Sequence, residues 1–460
     1  MGPSTTRRNF LKASAKSIIA VPAALSIADA LANNQTNLTS PGGPVPVELN
    51  IRDFGATGNG VTKDTLAIQQ AIDRCWVMGG GTVLVPAGNY FTGAIALRSN
   101  VLLKLEKGAT ISGTPDFADY PIMQVRWEGK WVKGHAALIY ALDAENTGII
   151  GPGHIAGNHA LGGRPNEKYP LRHPALIEPI GCTNLRFEDF STDYHLMWCC
   201  HPTYCEHLVF KNLVIRSTGG NGDGIDIDSC KHVLIDGCDI ATGDDCIAIK
   251  SGRGMEGYKL LRTTEDVTIR NCTMADSIFA CIGIGSETSG GIRGVKIEQC
   301  KFVKAKTFAV YIKSRPGRGA FIEDISCHDL EVSGMDGGFL RFNILGSGLQ
   351  DQEPVPGLEG IPTVKNFSFS NIVVRDVPVL VDGISVHPGK PLDGLVLNNI
   401  SGTCKKGITL ANIRNAKIKN INVTGYEGAL LSIHNVSGKG LKDAATIDGP
   451  KVPEPILPRS

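Results

Sequence analysis

The sequence is poor in aromatic residues, in net charge and in long apolar runs, and each shortage excludes a class of protein. Aromatic residues make up 6% of the 460 residues, whereas 55 residues are glycine, a balance that favours many tight turns over a helical bundle. With 46 Lys and Arg against 45 Asp and Glu, charge alone cannot hold nucleic acid. Beyond the N-terminal segment no apolar run reaches the length of a membrane span. We therefore expect neither a nucleic-acid partner nor a membrane-spanning segment.

The N-terminus has the order of features found in an export signal. Thr6-Arg7-Arg8-Asn9-Phe10-Leu11-Lys12 is a twin-arginine pattern, a modestly apolar stretch follows from Ile18, and Ala28-Asp29-Ala30 supplies a small-x-small cleavage context. A basic disordered arm is the alternative. We expect residues 1–30 to direct export to the periplasm or the medium. A linker over 31–48, one domain over 49–450 and a tail over 451–460 complete the predicted organisation.

The thirteen cysteines do not form an obvious disulfide or metal pattern. Cys238, Cys272 and Cys300 fall at the same point of a repeated strand pattern, where a small buried side chain is expected. The cluster from Cys199 to His207 lacks the paired spacings of a zinc site. The sequence predicts mostly reduced structural cysteines with one or two bridges, no bound metal and no cofactor.

A polar residue followed by an apolar one recurs from about residue 184 onward. It stands at Asp189, Asn212, Gly237, Asn271, Gln299, Asp329, Asn371, Asn399 and Asn420. The intervals of 21 to 42 residues are filled by period-2 strands and leave too little room for helices. This pattern predicts an all-β solenoid of parallel strands whose polar corners have positive φ and stack in ladders. A β-sandwich would need antiparallel hairpins, and Asn-Gly hairpin turns are not the dominant link.

The segment Asp64–Cys75 has the pattern of a short amphipathic helix. Three glycines and the strand-like run Thr82–Val85 follow it. The open end of a solenoid exposes its apolar core, so we expect this helix to cap the N-terminal end.

A second strand also recurs, and Ile225–Asp228 precedes Ile247–Lys250 by 22 residues, one tight coil. Alternation turns its polar residues outward around a floor of Gly283 and Gly285. The outward set is Asp226, Asp228, Lys250, Tyr311, Lys313, Arg341 and Asn343. A strip of mixed charge suits a polysaccharide or oligosaccharide partner. Trp127 and Trp131 either stack on its sugars or pack in a loop.

Three aspartates precede these strands. Asp223 lies 22 residues before Asp245, with Asp244 adjacent, so stacking brings the three carboxylates together and raises at least one pKa. A proton-holding acid beside ionised neighbours is what glycosidic cleavage requires. The alternative is that these aspartates cap turns or bind calcium.

These residues resemble those of glycoside hydrolase family 28, the polygalacturonases and rhamnogalacturonan hydrolases. Asn221-Gly222-Asp223-Gly224 resembles its Asn-Thr-Asp-Gly motif, and Gly243-Asp244-Asp245-Cys246 matches its Gly-Asp-Asp-Cys motif. The resemblance implies a single-stranded right-handed parallel β-helix and a hydrolase of pectin-type acidic polysaccharide, either homogalacturonan, rhamnogalacturonan or modified galacturonan oligomers. We expect the exported protein to be a monomer. It also implies inversion, with Asp244 as general acid, Asp223 and Asp245 activating water, and Asn221 contacting substrate.

Two positions depart from the family pattern. Phe279 stands where the family has His, and Tyr311-Ile312-Lys313 replaces Arg-Ile-Lys. Lys313 and Arg318 remain as cations for a sugar carboxylate, and Lys250 either binds a carboxylate or tunes Asp244. We expect Phe279 and Tyr311 to alter substrate choice near the cleavage point. Two alternatives stay open: a calcium-dependent polysaccharide lyase on the same fold, and a carbohydrate-binding solenoid without catalysis.

Overall fold

The described chain is wound into coils that each contribute strands to three parallel sheets. The computed structural model describes residues 47–195, 197–217, 219–454 and 456–457, so the predicted export signal lies outside the described residues. Each strand pairs in parallel with the equivalent strand one coil further on, as Ile225–Asp228 does with Ile247–Lys250. This is a parallel β-helix, as the repeat predicted.

We name the sheets A, B and C in the order in which each coil enters them. Sheet A contains Val47–Asn50, Gly81–Val85, Val101–Leu105, Glu145–Ile150, Thr183–Glu188, Glu206–Lys211, Lys231–Asp236, Thr264–Arg270 and Ile292–Glu298. Sheet B contains Asn59–Lys63, Gly88–Thr92, Ala109–Gly113, His154–Ala156, Ser191–His195, Val214–Ser217, Asp239–Thr242, Thr273–Ser277 and Lys301–Phe302. Sheet C contains Ile95–Ala96, Ile139–Leu142, Ile177–Ile180, Ile225–Asp228, Ile247–Lys250, Ile282–Ile284, Phe308–Lys313, Gly338–Asn343 and Ala445–Thr446.

The last coils are continuous through their corners. Their strands Phe321–Ser333, Thr363–Ser385, Leu392–Thr424 and Leu431–Lys439 pass from one sheet into the next. Helices are few: the structure has α1 (Thr65–Val77), α2 (Gly254–Leu260) and the 3-10 turns Ile51–Phe54, Phe117–Asp119, His159–Leu161 and Leu358–Gly360. In the described part of the chain no helix is both long and apolar enough to cross a membrane.

The repeated polar positions of the sequence lie at the corners of the coils. All nine of its polar or glycine positions have φ between 53° and 70°, in the left-handed region that Asn, Asp and Gly adopt most readily. Their side chains hydrogen-bond from coil to coil: Asn371 Nδ2 donates to Asp329 Oδ1 and Asn399 Nδ2 to Asn371 Oδ1, both at 2.9 Å. The predicted ladders are therefore present.

Helix α1 covers the N-terminal end of the coils. Ile68, Ala71, Ile72 and Cys75, on one face of the helix, are buried in the main apolar core, whereas Leu66 is 75% exposed. The helix starts one residue later and ends two residues later than the predicted segment. This confirms the capping helix, since one face of it closes the core.

An antiparallel hairpin, Ile122–Trp127 with Lys130–His135, stands outside the coils. Its turn is Glu128-Gly129, both at positive φ (44° and 77°), as a two-residue hairpin loop requires. This hairpin was not predicted from the sequence.

All thirteen cysteines are buried, and none forms a disulfide. Cys238, Cys272 and Cys300 belong to the core, as their place in the repeat predicted. The expectation of one or two bridges is not met, because these side chains stack between coils as apolar residues.

This burial predicts the thiol chemistry of the folded protein. We expect the native protein to react with less than one equivalent of Ellman's reagent over an hour, because the core excludes the reagent. In guanidinium without reductant all thirteen thiols should react. Several fast-reacting thiols in the native protein, or a mass change on reduction, would contradict the described core.

Candidate active site

The stacking predicted for the aspartates is present. Ile225 pairs with Ile247 and Asp226 with Ala248, so Asp223 and Asp245 occupy equivalent places on neighbouring coils. One carboxylate oxygen of each of Asp223, Asp244 and Asp245 lies within 4.8 Å of the others. Asp223 and Asp245 are buried, whereas Asp244 is half-buried. All three line a cavity of about 150 Å³.

The Asp245 side chain is held in place from three sides. Lys313 Nζ lies 2.7 Å from its Oδ2, and the backbone N–H of Ala280 donates to its Oδ1 at 3.1 Å. The group rests over Gly283, where a Cβ would lie 2.3 Å from Oδ2. The predicted glycine floor therefore serves first to make room for this carboxylate.

Lys250 holds the other side of the acid cluster. Its Nζ lies 2.5 Å from Asp226 Oδ1 and 3.6 Å from Asp223 Oδ2, and 4.5 Å from the centre of the Trp198 ring. Burial opposes the charge of Lys250, but Asp226 and Asp223 outweigh it and raise its pKa. Lys250 therefore remains a cation beside Asp223 although its side chain is buried.

The pKa values of Asp244 and Asp223 are raised by different amounts. Burial, with repulsion from Asp223 and Asp245, raises the pKa of Asp244 to about 8. Burial also raises the pKa of Asp223, to about 6, although Lys250 opposes this shift. Near pH 7 Asp244 therefore holds a proton while Asp223 is mostly ionised, which is the pairing of acid and base that hydrolysis needs.

Three loop segments form one wall of the cavity. They are the hairpin tip at Glu128, Arg253 before α2, and Gly348-Leu349. Arg253 ties these segments together, because its Nη1 lies 2.9 Å from Glu128 Oε2 and its Nε lies 2.9 Å from Asp351 Oδ1. The long insertion around residue 350 therefore contributes directly to the site.

A buried arginine anchors the hairpin that carries Glu128. Arg126 Nε donates to Asp228 Oδ2 at 3.2 Å, and its Nη1 lies 3.2 Å from Glu256 Oε1 of α2. The Trp131 ring packs 5.2 Å from the Arg126 guanidinium, so Trp131 is a packing residue. Trp127 lies 5.9 Å from Trp198, which lines the cavity.

The remaining predicted residues divide into two groups. Asn221, Lys250 and Lys313 line the cavity with the aspartates, and Arg164 Nη2 donates to Asn221 Oδ1 at 2.7 Å. Phe279 and Tyr311 lie next to Lys313, whose Nζ is 4.3 and 5.7 Å from their ring centres.

Arg318 is not placed as a substrate ligand. Its side chain is fully buried, and its Nη1 pairs with Asp351 at 3.3 Å while its Nη2 donates to the carbonyl of Leu349. Arg318 therefore stabilises the wall segment Gly348-Leu349 and does not line the cavity. The sequence motif could not distinguish an arginine that points into the cleft from one that points beneath it.

Glu128, Arg253 and Glu287 line the cavity but were absent from the sequence-based set. The alternation of apolar and polar residues on either side of Glu128-Gly129 could have predicted the hairpin that carries Glu128. Glu287 follows the Gly283-Gly285 strand directly, and its burial is offset by Lys250 and Arg318, which lower its pKa. Arg253 gave no periodic signal, because it lies in an insertion.

The aspartate cluster has the oxygen donors that a divalent cation prefers. Two of the three donors already face ammonium groups, Lys313 at Asp245 and Lys250 at Asp223. A cation would have to displace or repel both lysines, so the arrangement fits proton sharing better than metal binding.

Comparison with known proteins identifies the family. The model of Glycosyl hydrolases family 28 matches residues 75–340. The chain belongs to glycosyl hydrolase family 28. This match contains all three aspartates of the cluster and confirms the family predicted from their motifs.

Relatives and solved structures extend the family 28 match beyond those residues. The chain is 27% identical over 365 residues to a probable polygalacturonase of Vitis vinifera, covering 76% of this chain and 73% of that protein. It is 27% identical to an exo-poly-alpha-D-galacturonosidase of Dickeya chrysanthemi, covering 64% and 56%. A hyperthermoactive exopolygalacturonase from Thermotoga maritima superposes with a TM-score of 0.74 at 26% identity, covering 87% and 96%.

Membership of family 28 confirms two further predictions. The fold is a right-handed parallel β-helix, as in the Thermotoga maritima structure. The protein is a glycosidase that hydrolyses O-glycosidic bonds. The lyase and the non-catalytic solenoid are accordingly disfavoured.

The raised pKa of Asp244 predicts a pH-dependent gain in stability for Asp244→Asn. Folding must bind a proton at this carboxyl, and the cost grows with pH from about 4 until it levels off near pH 8, the folded-state pKa. At pH 7 we expect Asp244→Asn to raise the free energy of unfolding by at least about 1 kcal/mol.

Guanidinium titrations at pH 4 and pH 7 measure this difference. At pH 4 the variant and the wild type should be equally stable, since both side chains are then neutral in the folded state. Asp448→Asn, at an exposed position, is the control. A gain that is the same at both pH values would contradict a raised pKa at Asp244.

Proposed function

We propose that this family 28 glycosidase hydrolyses pectin-type acidic polysaccharide with inversion at the anomeric carbon. The observation that carries the proposal is the cluster of Asp223, Asp244 and Asp245, whose oxygens lie within 4.8 Å of one another on two stacked coils. Relatives described as polygalacturonases and an exopolygalacturonase structure support the substrate class.

In the proposed mechanism Asp244 donates its proton to the glycosidic oxygen as the bond to the leaving sugar breaks. Water attacks the anomeric carbon from the opposite face and gives a proton to the Asp223 and Asp245 pair. Lys313 and the Ala280 N–H hold the Asp245 side chain in position for this step. The carboxylates are closer together than is general for inverting enzymes, so their separation alone is not diagnostic.

The cavity supplies cations for a uronate. Lys250, Arg253 and Lys313 line it together with Asn221. They face five acidic residues: Glu128, Asp223, Asp244, Asp245 and Glu287. Protonation of Asp244 removes one negative charge from the cavity. An acidic sugar therefore binds best when Asp244 is protonated, which is also the state in which Asp244 can donate a proton to the glycosidic oxygen.

For the rest of the chain we propose the organisation predicted from the sequence. Residues 1–30 would act as a twin-arginine export signal, 31–48 as a linker and 451–460 as a tail. The first strand begins at Val47, two residues before the proposed domain boundary, and the last strand ends at Thr446. In the tail, the carbonyl of Ile456 accepts from the N–H of Gly357 at 2.8 Å.

Replacement of the proposed acid tests the mechanism. We expect Asp244→Asn to lower kcat on polygalacturonate by about 10²- to 10⁴-fold, because the leaving oxygen loses its proton donor. The measurement is reducing-end release at pH 7, with proton NMR to follow the anomer that forms first. The wild type should release the inverted β-anomer.

Asp266→Asn is the matched control, since Asp266 is exposed and pairs with His232 on sheet A. The kcat/KM of the wild type should fall below about pH 6 and above about pH 8, following the pKa values of Asp223 and Asp244. Full activity of Asp244→Asn, or an unsaturated product that absorbs in the ultraviolet, would refute the proposal.

We further propose that cleavage occurs at a chain end. The wall of Glu128, Arg253 and Leu349 borders the cavity, and we expect it to block the path of a longer chain. The exo-acting names of the relatives from Dickeya chrysanthemi and Thermotoga maritima agree with this mode.

Opening the wall should change the mode of cleavage. The wild type should release one short product while the viscosity of polygalacturonate falls slowly. The double change Glu128→Ala with Arg253→Ala, which unties the wall, should increase the viscosity loss per bond cleaved. Arg293→Ala, which breaks an exposed pair with Glu265, should leave this ratio unchanged. A rapid viscosity loss with the wild type would rule out the chain-end mode.

A further inference from the structure

A groove on the outer face of sheet B has no part in the site described above. Its volume is about 380 Å³, larger than the cavity of about 150 Å³ at the aspartates. Residues from neighbouring coils line it, among them Tyr194, Arg216, Ala241, Asp276 and Ile278. None of the described residues lines both the groove and the cavity. The groove is therefore a separate feature of the surface.

Two β-bulges shape this groove. The strand Ser191–His195 has one residue more than its neighbour Val214–Ser217 in the stretch where the two pair. Thr273–Ser277 likewise has one extra residue relative to Asp239–Thr242. A bulge turns side chains out of the regular pleat. The two shorter strands therefore form the floor of the groove, and the bulged strands on either side form its walls.

Tyr194 stands on one wall with its ring exposed. The residue is 51% exposed and has a φ of 53°, in the left-handed region that is unfavourable for a bulky side chain. The His159 ring packs against it with centroids 4.7 Å apart and planes at 75°, so the ring is supported although it lies outside the core. An exposed aromatic ring that is kept in an unfavourable backbone conformation points to a ligand.

The charged groups of the groove are already paired. Arg216 Nη2 lies 3.0 Å from Asp239 Oδ2, and its Nη1 donates to the Asp239 carbonyl at 2.8 Å. Two aspartates of the walls are paired as well, Asp193 with His154 at 3.1 Å and Asp276 with Lys304 at 3.0 Å. Among the described lining residues Arg216 is the only cation. Unlike the cavity, the groove thus offers no free cation to a uronate.

The groove lies beside the turn that carries the catalytic aspartates. Thr242, which lines the groove, donates from its hydroxyl to the Asp244 carbonyl at 2.9 Å. The Ser277 hydroxyl, next to Ile278 of the wall, donates to the same carbonyl at 2.7 Å. A polymer that reaches the cavity therefore passes close to the groove.

We propose that this groove is a second, non-catalytic site that binds an uncharged oligosaccharide chain. A sugar ring would stack on Tyr194, and sugar hydroxyls would donate to the carboxylates of Asp193 and Asp276. Apolar groups of the chain would contact Ala241 and Ile278.

The occupant to which we commit is galacturonan whose carboxyl groups are methyl-esterified. Esterification removes the charge that the groove cannot pair, and the same polymer in its acidic form reaches the neighbouring cavity. The choice of this polymer rests on the proposed function, whereas the preference for an uncharged chain rests on the groove alone.

Binding to Asp244→Asn tests the assignment without turnover. Isothermal titration compares fully methyl-esterified tetragalacturonate with tetragalacturonate. Adding Tyr194→Ala should weaken binding of the ester at least about fivefold, because the stacking surface is lost. It should change the affinity for the acidic probe less than twofold, since that probe binds in the cavity. Ala241→Phe, which fills the floor of the groove, should have the same two effects.

Trp76→Ala is the matched control, because Trp76 is an aromatic residue of nearly equal exposure, 50%, on the capping helix α1. It should change neither affinity, and melting curves verify that each variant folds. Failure of the ester to bind, an unchanged ester affinity in either groove variant, or equal weakening of both probes would overturn the assignment.

Wild-type hydrolysis of polygalacturonate separates this inference from the proposed function. Cleavage without groove-dependent binding of the ester overturns the groove assignment alone. Groove-dependent binding of the ester without cleavage overturns the proposed function and leaves the preference for an uncharged chain in place.

Discussion

Fixed register between neighbouring coils is the constraint on which the rest of the structure depends. Ile225, Ile247 and Ile282 pair in sequence, so a side chain on one coil lies about 4.8 Å from its counterpart on the next. A slip of one residue would exchange the buried and outward faces of sheet C. The left-handed corner residues oppose such a slip, because each fixes where a strand must turn.

The same register brings the aspartate side chains close together, and two lysines offset the repulsion between them. Asp223 and Asp245 stack on adjacent coils, and Lys250 and Lys313 approach them from the outer ends of sheet C strands. Asp244 forms no salt bridge among the described residues. Burial and the repulsion from Asp223 and Asp245 therefore act on Asp244 without a paired lysine to offset them, and they raise its pKa to about 8.

Periodic features could be predicted from the sequence, whereas inserted ones could not. The corner positions and the meeting of Asp223 with Asp245 follow from counting residues per coil, because the fold repeats that count. Glu128 and Arg253 belong to insertions whose direction depends on tertiary contacts, here the buried Arg126–Asp228 pair. Arg318 was wrongly expected at the substrate for the same reason, since spacing gives no side-chain direction in a turn.

The two positions that depart from the family pattern lie outside the periodic core. Phe279 and Tyr311 lie on the outer face of sheet C, so their replacement leaves the core isoleucines and the register untouched. Lys313, which Asp245 requires, is retained. The Phe279 ring also covers Lys313 and limits its access to water, which strengthens its pairing with Asp245. Phe279 therefore packs against the same lysine that pairs with Asp245.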